Sequence, residues 1–459
     1  MSKKRNKRIE TGGGALPEGF IEEMRALLGE TEALSLVSSL ADTPSVSIRF
    51  NRKKVKDAGE SSQSFSVYGV SPVEWCESGF YLDRRPDFVR DPLLHAGAYY
   101  VQEAASMVYE SILRSLAPEI GDRELKVLDM CAAPGGKSTA MLNALEGRYI
   151  LVANEYDRGR SKILKENLDK WGDPNVIVTN SPAEKFGALE GYFDVVAVDA
   201  PCSGEGMMRR EPVARSQWSK NLIAQCASMQ REILENAVKC LAPGGLLIYS
   251  TCTFNRTENE ENAEWIEREL RLEPVMPARH FMPHRERCEG LFVAAFRRRA
   301  EESGIGRSLN IKNSKPKAII SSQQIFLKDK DLIQERIGER IFGIPQSLFP
   351  TYSLLKKAGV NILSAGTELA SLKGDTAIPS SRQVLSQDFD RESIPVVVLD
   401  LPAALSYLGR NVLTLPEEIP AGYIAVSHKG FPLGLVKNIG RRANNLFPAE
   451  WKIMNNFAL

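Results

Sequence analysis

Two cysteines occupy equivalent places in the sequence. Cys202 follows the apolar run DVVAVDA at 194–200, and Cys252 closes GLLIYSTC at 245–252, so each thiol sits just past the carboxyl end of a short stretch with the composition of a buried strand. In an open α/β sheet that edge is where ligands bind. If the two strands are neighbours, their spacing of about 4.8 Å sets the two loops side by side. An ionised thiol is a nucleophile, and a second thiol next to it can handle the proton of the same reaction. Core filling explains one such cysteine more readily than two. The other five, Cys76, Cys131, Cys226, Cys240 and Cys288, read as packing or exposed thiols, Cys131 merely bordering the next feature.

That feature is LDMCAAPGGKSTA, a strand ending in Asp129, a turn containing Pro134, Gly135 and Gly136, and a helix beginning near Lys137. It is neither GxGxxG nor a Walker loop, so neither a dinucleotide nor ATP follows. It does offer backbone N–H groups and the positive end of a helix, approached closely because glycine has no side chain. The next strand leads into Glu155, near the offset of about twenty residues at which an acid in this architecture hydrogen-bonds a ribose hydroxyl pair. Asp157 is the competing acid. Together these features favour a nucleoside-bearing ligand. The four histidines, His95, His280, His284 and His428, are scattered and no CxxC pair exists, so neither zinc nor disulfide exchange is expected. Thr257 with Glu260 reads as a capping box, a structural use of that acidic run, and Ser181, Pro182 and Glu184 read as structural too.

These residues need a scaffold. Between 126 and 298 apolar runs (126–130, 149–155, 175–180, 194–200, 245–252) alternate with amphipathic stretches such as 160–171 and 219–241. This predicts βαβ units, a parallel sheet and a doubly wound, Rossmann-like α/β fold. Upstream, FIEEMRALLG reads as a helix, SVSIRFN as a strand, and VSPVEWC as a helix start with Ser71 as cap, Pro72 at the first position and Glu74 closing the box. Downstream, 331–372 carries mixed helical signals and 394–459 returns to short β-like runs split by Gly and Pro. The expected division is a small α+β module at 1–90, the catalytic domain at 91–300, a linker or intermediate domain at 301–390 and a β-rich module at 391–459. Residues 1–15, with Lys3, Lys4, Arg5, Lys7, Arg8 and Gly12 to Gly14, read as a solvated arm, and the polar stretch 300–317 as a linker.

The 459 residues, 43% hydrophobic and 25% charged, have ordinary globular composition, which argues against disorder and fibre. Lys+Arg of 59 against Asp+Glu of 58 gives a formal charge of +1, so any nucleic-acid surface has to be local. Candidates are Arg209 and Arg210, Arg297 to Arg299, and Lys437, Arg441 and Arg442. No apolar stretch approaches a membrane span, MSKKRNKRIE lacks the apolar region of a secretory signal, and seven unpatterned cysteines suit a reducing compartment, so a cytoplasmic protein with no membrane partner is expected.

Taken as a set, HAGAYYVQEAASM, LDMCAAPGGKSTA, VDAPCSGEG and STCT resemble the NOL1/NOP2/Sun family of S-adenosylmethionine-dependent RNA cytosine-C5 methyltransferases, over about residues 90–300. The C-terminal GFPLGLVKNIGRRANNLFPAEW looks like the tail of the bacterial subgroup that acts on small-subunit rRNA, whose end carries a PUA-like RNA-binding module. The resemblance implies S-adenosylmethionine as cofactor and ribosomal RNA or the small ribosomal subunit as partner. It further implies that Cys131, Ala132, Ala133, Pro134, Gly135, Gly136 and Lys137 form the methionine and ribose side of the cofactor site, and that Glu155 holds the ribose hydroxyls. Asp199 would sit between cofactor and base, Cys252 would be the nucleophile, and Cys202 would help release product. Relatives often carry an acid after the third strand, near the adenine; here Asn180, Ser181 and Pro182 stand there, and Asn180 is the candidate contact. Lys137 could also favour the thiolate, and Asp199, in protonated form, could hydrogen-bond the cytosine N3/N4 edge. The alternative function is a noncatalytic RNA-binding assembly factor that keeps the fold.

Overall fold

The computed structural model describes residues 15–116, 123–300 and 318–454. The basic arm before residue 15, most of the polar linker at 300–317 and the last five residues lie outside the described residues. Four sheets organise the rest. The first holds β1 (Val46–Phe50), β2 (Val70–Val73), β3 (Cys76–Leu82) and β4 (Tyr99–Val101) in the order β2-β3-β1-β4, whereas the helices Glu18–Leu28 and Glu30–Ser39 that precede it pack against Met208, Phe254 and Met282. The helix expected from Ser71 and Pro72 is instead strand β2, which pairs antiparallel with β3. It lies at the sheet edge, where a proline has no ladder bond to forfeit, so Pro72 is tolerated there.

The central sheet contains β5 (Leu125–Asp129), β6 (Tyr149–Asn154), β7 (Val176–Thr179), β8 (Phe193–Asp199) and β9 (Leu241–Thr251), all parallel, in the order β9-β8-β5-β6-β7. This is the doubly wound core that the alternation of apolar runs predicts. Its strands are buried on both faces, as parallel strands under helices must be. Val127, Leu151, Val195 and Leu246 enter one core cluster, whereas their neighbours Leu128, Val152, Val196 and Leu247 enter the other, the period-2 alternation of a pleated strand. Each such side chain contributes about 1.5–3 kcal/mol by leaving water. Three further strands follow in sequence: β10 (Leu272–Pro274), β11 (Arg279–Phe281) and β12 (Leu291–Arg298), with β12 antiparallel to β9.

Residues 331–372 are chiefly β, not the mixed helical segment their sequence suggests. They form β13 (Ile333–Ile337), β14 (Arg340–Ile344), β15 (Ile362–Ala365) and β16 (Thr367–Lys373), and only Phe349–Lys357 is α-helical. Strand β17 (Thr376–Pro379) completes a sheet ordered β13-β14-β16-β17, while β15 leaves it to pair antiparallel with β7 of the central sheet. The glycines that end these strands supply the turns: Gly338 and Gly366 hold φ of 62° and 67°, a region costly for other residues. The last sheet, β18 (Val396–Val398), β19 (Gly422–His428), β20 (Phe431–Asn438) and β21 (Ala443–Asn445), packs on the helix Leu401–Leu408.

Arg382 joins three of these parts. Its guanidinium donates to Asp169 at 2.6 Å, Glu368 at 3.0 Å and Glu450 at 3.0 Å, and lies 4.6 Å from the Trp451 ring centroid. Those partners come from the helix Arg158–Trp171, from β16 and from the C-terminal module.

Candidate active site

The site lies at the carboxyl edge of the central sheet. Register makes it: β8 and β9 pair in parallel with Asp199 opposite Ser250, so the loops that follow run out together. Cys202 and Cys252 are both half-buried free thiols, and their sulfurs are 3.0 Å apart. The hydrogen bond of the Cys202 thiol to Cys252, then burial, then the neighbouring charges of Cys252, Glu258 and Asp199 push the Cys202 thiol well above the ordinary range. Asp199 accepts Lys137 Nζ at 2.7 Å and Ser250 Oγ at 2.7 Å. Burial opposes the Lys137 ammonium, but Asp199, Cys252 and Glu103 outweigh it and raise its pKa above the usual lysine value. A persistent cation therefore stands within the electrostatic reach of Cys252. The structure thus brings Lys137, Asp199, Cys202 and Cys252 to one place.

The Gly-rich turn lies beside them. Gly135 takes φ 109° and caps the helix Gly136–Ala144, a backbone conformation that glycine alone adopts readily. Below it Asp129 accepts the Ser138 hydroxyl at 2.6 Å, and burial pushes its carboxyl up to about 7, with Asp199 adding to the rise and the Ser138 bond opposing it. Cys131 is half-buried at the start of the turn, and burial, followed by the charges of Asp129, Glu155 and Asp199, raises its thiol pKa strongly. Ala132 and Ala133 are buried, and the Ala133 carbonyl accepts Arg160 at 2.8 Å. The Pro134 carbonyl accepts Asn167 Nδ2 at 2.8 Å and the Tyr100 hydroxyl at 3.3 Å.

Glu155 follows β6 and is 5% exposed. Its Oε1 accepts the Asp157 N–H at 2.9 Å, whereas Oε2 is buried with no hydrogen-bond donor; Arg160 stands 3.6 Å away. An orphaned buried carboxylate oxygen is costly, and a ligand hydroxyl would satisfy it, so this residue fits a ribose. The competing acid, Asp157, is the N-cap of Arg158–Trp171, accepting Arg160 N–H at 2.7 Å. Asn180 spends its amide on the carbonyls of Glu155, 2.7 Å, and Tyr156, 2.8 Å, which shapes that loop. Tyr156, not singled out in the sequence, follows Glu155 and is 74% exposed.

Similarity to known proteins bears on what such an edge does. Residues 114–297 match the family model described as 16S rRNA methyltransferase RsmB/F, residues 16–104 that of the N-terminal domain of 16S rRNA methyltransferase RsmF, and residues 395–453 the methyltransferase RsmF PUA domain. The ribosomal RNA small subunit methyltransferase F of Cronobacter sakazakii is 30% identical, across 96% of this chain and 97% of that protein. The chain belongs to the ribosomal RNA small subunit methyltransferase F family. The Vibrio cholerae member is 29% identical over 95% of this chain and 97% of its own length. Among solved structures, a methyltransferase homologue from Pyrococcus horikoshii is 26% identical with a TM-score of 0.54, covering 61% of this chain and 95% of that one. NSun6 of the same organism, solved with SFG, shares the fold at 22% identity and a TM-score of 0.52, over 61% of this chain and 98% of its own. The family therefore accounts for the Rossmann-like core, for an N-terminal module ahead of it and for a PUA domain at the C-terminus.

Several sequence expectations are corrected around this family core. Arg209 donates to Glu289 at 2.7 Å and to the Cys288 carbonyl at 2.6 Å, and Arg210 pairs with the same Glu289 at 3.1 Å. Arg297 donates to Gly244 O at 3.1 Å, and Arg298 to Leu241 O at 2.7 Å. These four brace the fold where the sequence suggested phosphate contacts. Arg299 pairs with Glu273 at 2.8 Å on the surface, whereas Arg441 and Arg442 are exposed and Lys437 lies over the Tyr423 ring. The capping box of Thr257 and Glu260 does not form: the helix Glu260–Arg268 starts after Asn259 with no side-chain cap, and Glu260 instead meets His280 at 2.7 Å. Among the described residues no helix is long and apolar enough to cross a membrane, and no group of three or more potential ligands could hold a metal.

Proposed function

We propose that this chain methylates C5 of a cytosine in small-subunit ribosomal RNA, using S-adenosylmethionine. One observation carries the reading: two free thiols face each other at 3.0 Å between the ends of adjacent parallel strands, beside the Lys137–Asp199 pair at 2.7 Å. Cytosine C5 is too weak a nucleophile to take a methyl group unaided. The Cys252 thiolate adds to C6, forming an S–C6 bond and moving the ring electrons to C5. Lys137 supplies the positive field that favours the thiolate. Asp199, whose oxygens accept Lys137 and Ser250, sits where it can also accept from the base edge, a role its hydrogen bonds favour over the protonated form suggested by the sequence. The Gly-rich turn 131–137 and Glu155, with Tyr156 alongside, would hold S-adenosylmethionine, which would supply the electrophilic methyl group, its sulfonium–methyl bond breaking as the C5–methyl bond forms. Loss of the C5 proton then returns its electron pair to the ring, the S–C6 bond breaks and the thiolate leaves. Cys202 gives its thiol proton to the ring as the adduct forms and, as the thiolate so left, takes the C5 proton at this stage. The target base has to leave its stack to enter such a site, at a few kcal/mol.

In this reading residues 1–90 are an N-terminal RNA-binding module, 301–390 a linker or intermediate domain, and 391–459, with Lys437, Arg441 and Arg442, a second RNA-binding module. The fully formed thiol pair favours turnover over a noncatalytic assembly factor. Transfer of labelled methyl from S-adenosylmethionine to rRNA tests this directly. Cys252→Ala should abolish transfer, and Cys202→Ala should accumulate a protein–RNA adduct that survives denaturing gels. An adduct formed through Cys202 in Cys252→Ala protein would reverse the roles, and undiminished transfer in Cys252→Ala would overturn the covalent route.

A further inference from the structure

Two buried carboxylates link the thiol loops, and neither has a duty in the chemistry above. Glu205 leaves the Cys202 loop and binds the other one: its Oε2 accepts the Thr253 hydroxyl at 2.7 Å and the N–H groups of Phe254 and Asn255 at 2.8 Å each. Its Oε1 accepts the Trp218 indole at 2.8 Å. Glu258 leaves the Cys252 loop and binds back. It accepts the Ser203 N–H at 3.1 Å, the Ser203 hydroxyl, the Gln230 amide at 2.7 Å and the Asn255 amide at 2.8 Å. Both glutamates are 0% exposed. The backbones touch as well, with Gly206 N–H donating to Cys252 O at 2.9 Å; a Cβ at Gly206 would stand 2.9 Å from that oxygen, so only glycine permits the approach.

We propose that Glu205 and Glu258 are reciprocal positioning residues, each rising from one thiol loop to fasten the other, that hold Cys202 and Cys252 face to face and make them unequal. The inference rests on the covalent reading above and names what enforces its geometry. The inequality is electrostatic. Facing Cys202 are Cys252 and the neutral Tyr249 phenol from the β9 side, Asp199 from the end of β8, and Glu258, so the two carboxylates disfavour a thiolate there. Lys137, the nearby cation, interacts with Cys252. Burial alone would favour a neutral Glu258, yet every group bonded to it is a donor, the surroundings of a carboxylate. An amide at either glutamate would set an NH2 against those donors.

The test uses full-length Glu258→Gln and Glu205→Gln, with Ser203→Ala, which keeps the Ser203 N–H bond, as a milder variant should either glutamine protein fail to fold. Single-turnover methyl transfer should fall at least about 30-fold in the glutamine variants, from loss of charge-assisted hydrogen bonds, with donor and RNA affinities changed less than about 3-fold. Ser203→Ala should show a smaller loss of the same kind. In a Cys252→Ala background, Glu258→Gln should move the pH profile of Cys202 alkylation by iodoacetamide to lower pH, and Glu205→Gln should not. A merely structural role would leave that profile in place. Folded variants with wild-type turnover and an unmoved profile would overturn the proposal while the covalent reading stands. Methyl transfer surviving Cys252→Ala alone would instead overturn the reading beneath it.

Discussion

Replacing Glu155 by glutamine isolates the cofactor contact, because the substitution keeps shape and changes one oxygen. The amide oxygen can stay on the Asp157 N–H, 2.9 Å from Oε1 in the native protein, so the loop keeps its turn. The amide nitrogen then takes the place of the orphaned Oε2, presenting a donor where a ribose hydroxyl needs an acceptor. A hydrogen bond to a charged group contributes about 1.5–3 kcal/mol, and the 5% exposure of Glu155 leaves little water to replace it. At about 1.4 kcal/mol per tenfold, affinity for S-adenosylmethionine should weaken about 10- to 150-fold. Isothermal titration of the folded variant, with circular dichroism as the control, reads this. Glu155→Ala should lose more, because Asp157 N–H is orphaned as well. A change below about 3-fold in Glu155→Gln, or a larger loss in Asp157→Asn, would refute the assignment of the ribose contact.

Three further outcomes follow from named contacts. Asp129 has a folded pKa of about 7 against an ordinary 3.8; between those values the folded state holds a proton that the unfolded chain has released, so its contribution to stability is lost as pH rises through 7. Asp129→Asn should therefore flatten the fall of melting temperature between about pH 4 and 7; an unchanged slope contradicts it. Arg382→Leu leaves Asp169, Glu368 and Glu450 without their shared cation and should destabilise the protein by about 3 kcal/mol or more, seen as a lower urea midpoint; a stable variant would show that Lys165, 2.6 Å from Asp169, and Arg340, 2.8 Å from Glu368, suffice. Reversing Lys437, Arg441 and Arg442 to glutamate should weaken RNA binding and, at about 0.7 per phosphate contact, reduce the magnitude of the log–log salt slope by about 2; an unaltered slope would place the RNA elsewhere.

Much of the scaffold was legible because its signals are local. A buried parallel strand is an apolar run whoever its neighbours are, and Asp129, Glu155, Asp199 and Cys252 lie at or just past strand ends that composition marks. Gly135 was legible as a turn residue because its backbone conformation excludes side chains. Elsewhere local signals misled: Ser71 and Pro72 carry a helix-start pattern, but pairing with β3 outweighs it, since propensity is weaker than a sheet partner. The cations were read least well, because charge in a sequence does not say whether a carboxylate folds against it; Glu289 claims Arg209 and Arg210.

By itself, then, the amino-acid order determined which segments are the strands of the central parallel sheet, which residues stand at their ends and which chemistry those residue types can perform, because backbone period and turn geometry act over a few neighbours. Tertiary structure alone decided that β8 adjoins β9 in a register that brings two sulfurs within 3.0 Å. It also decided that Glu205 and Glu258 cross between the loops, and that β15 arrives from nearly two hundred positions away to edge the sheet. Such pairings depend on which buried polar groups find partners once the chain has closed, and no short window of sequence contains both members.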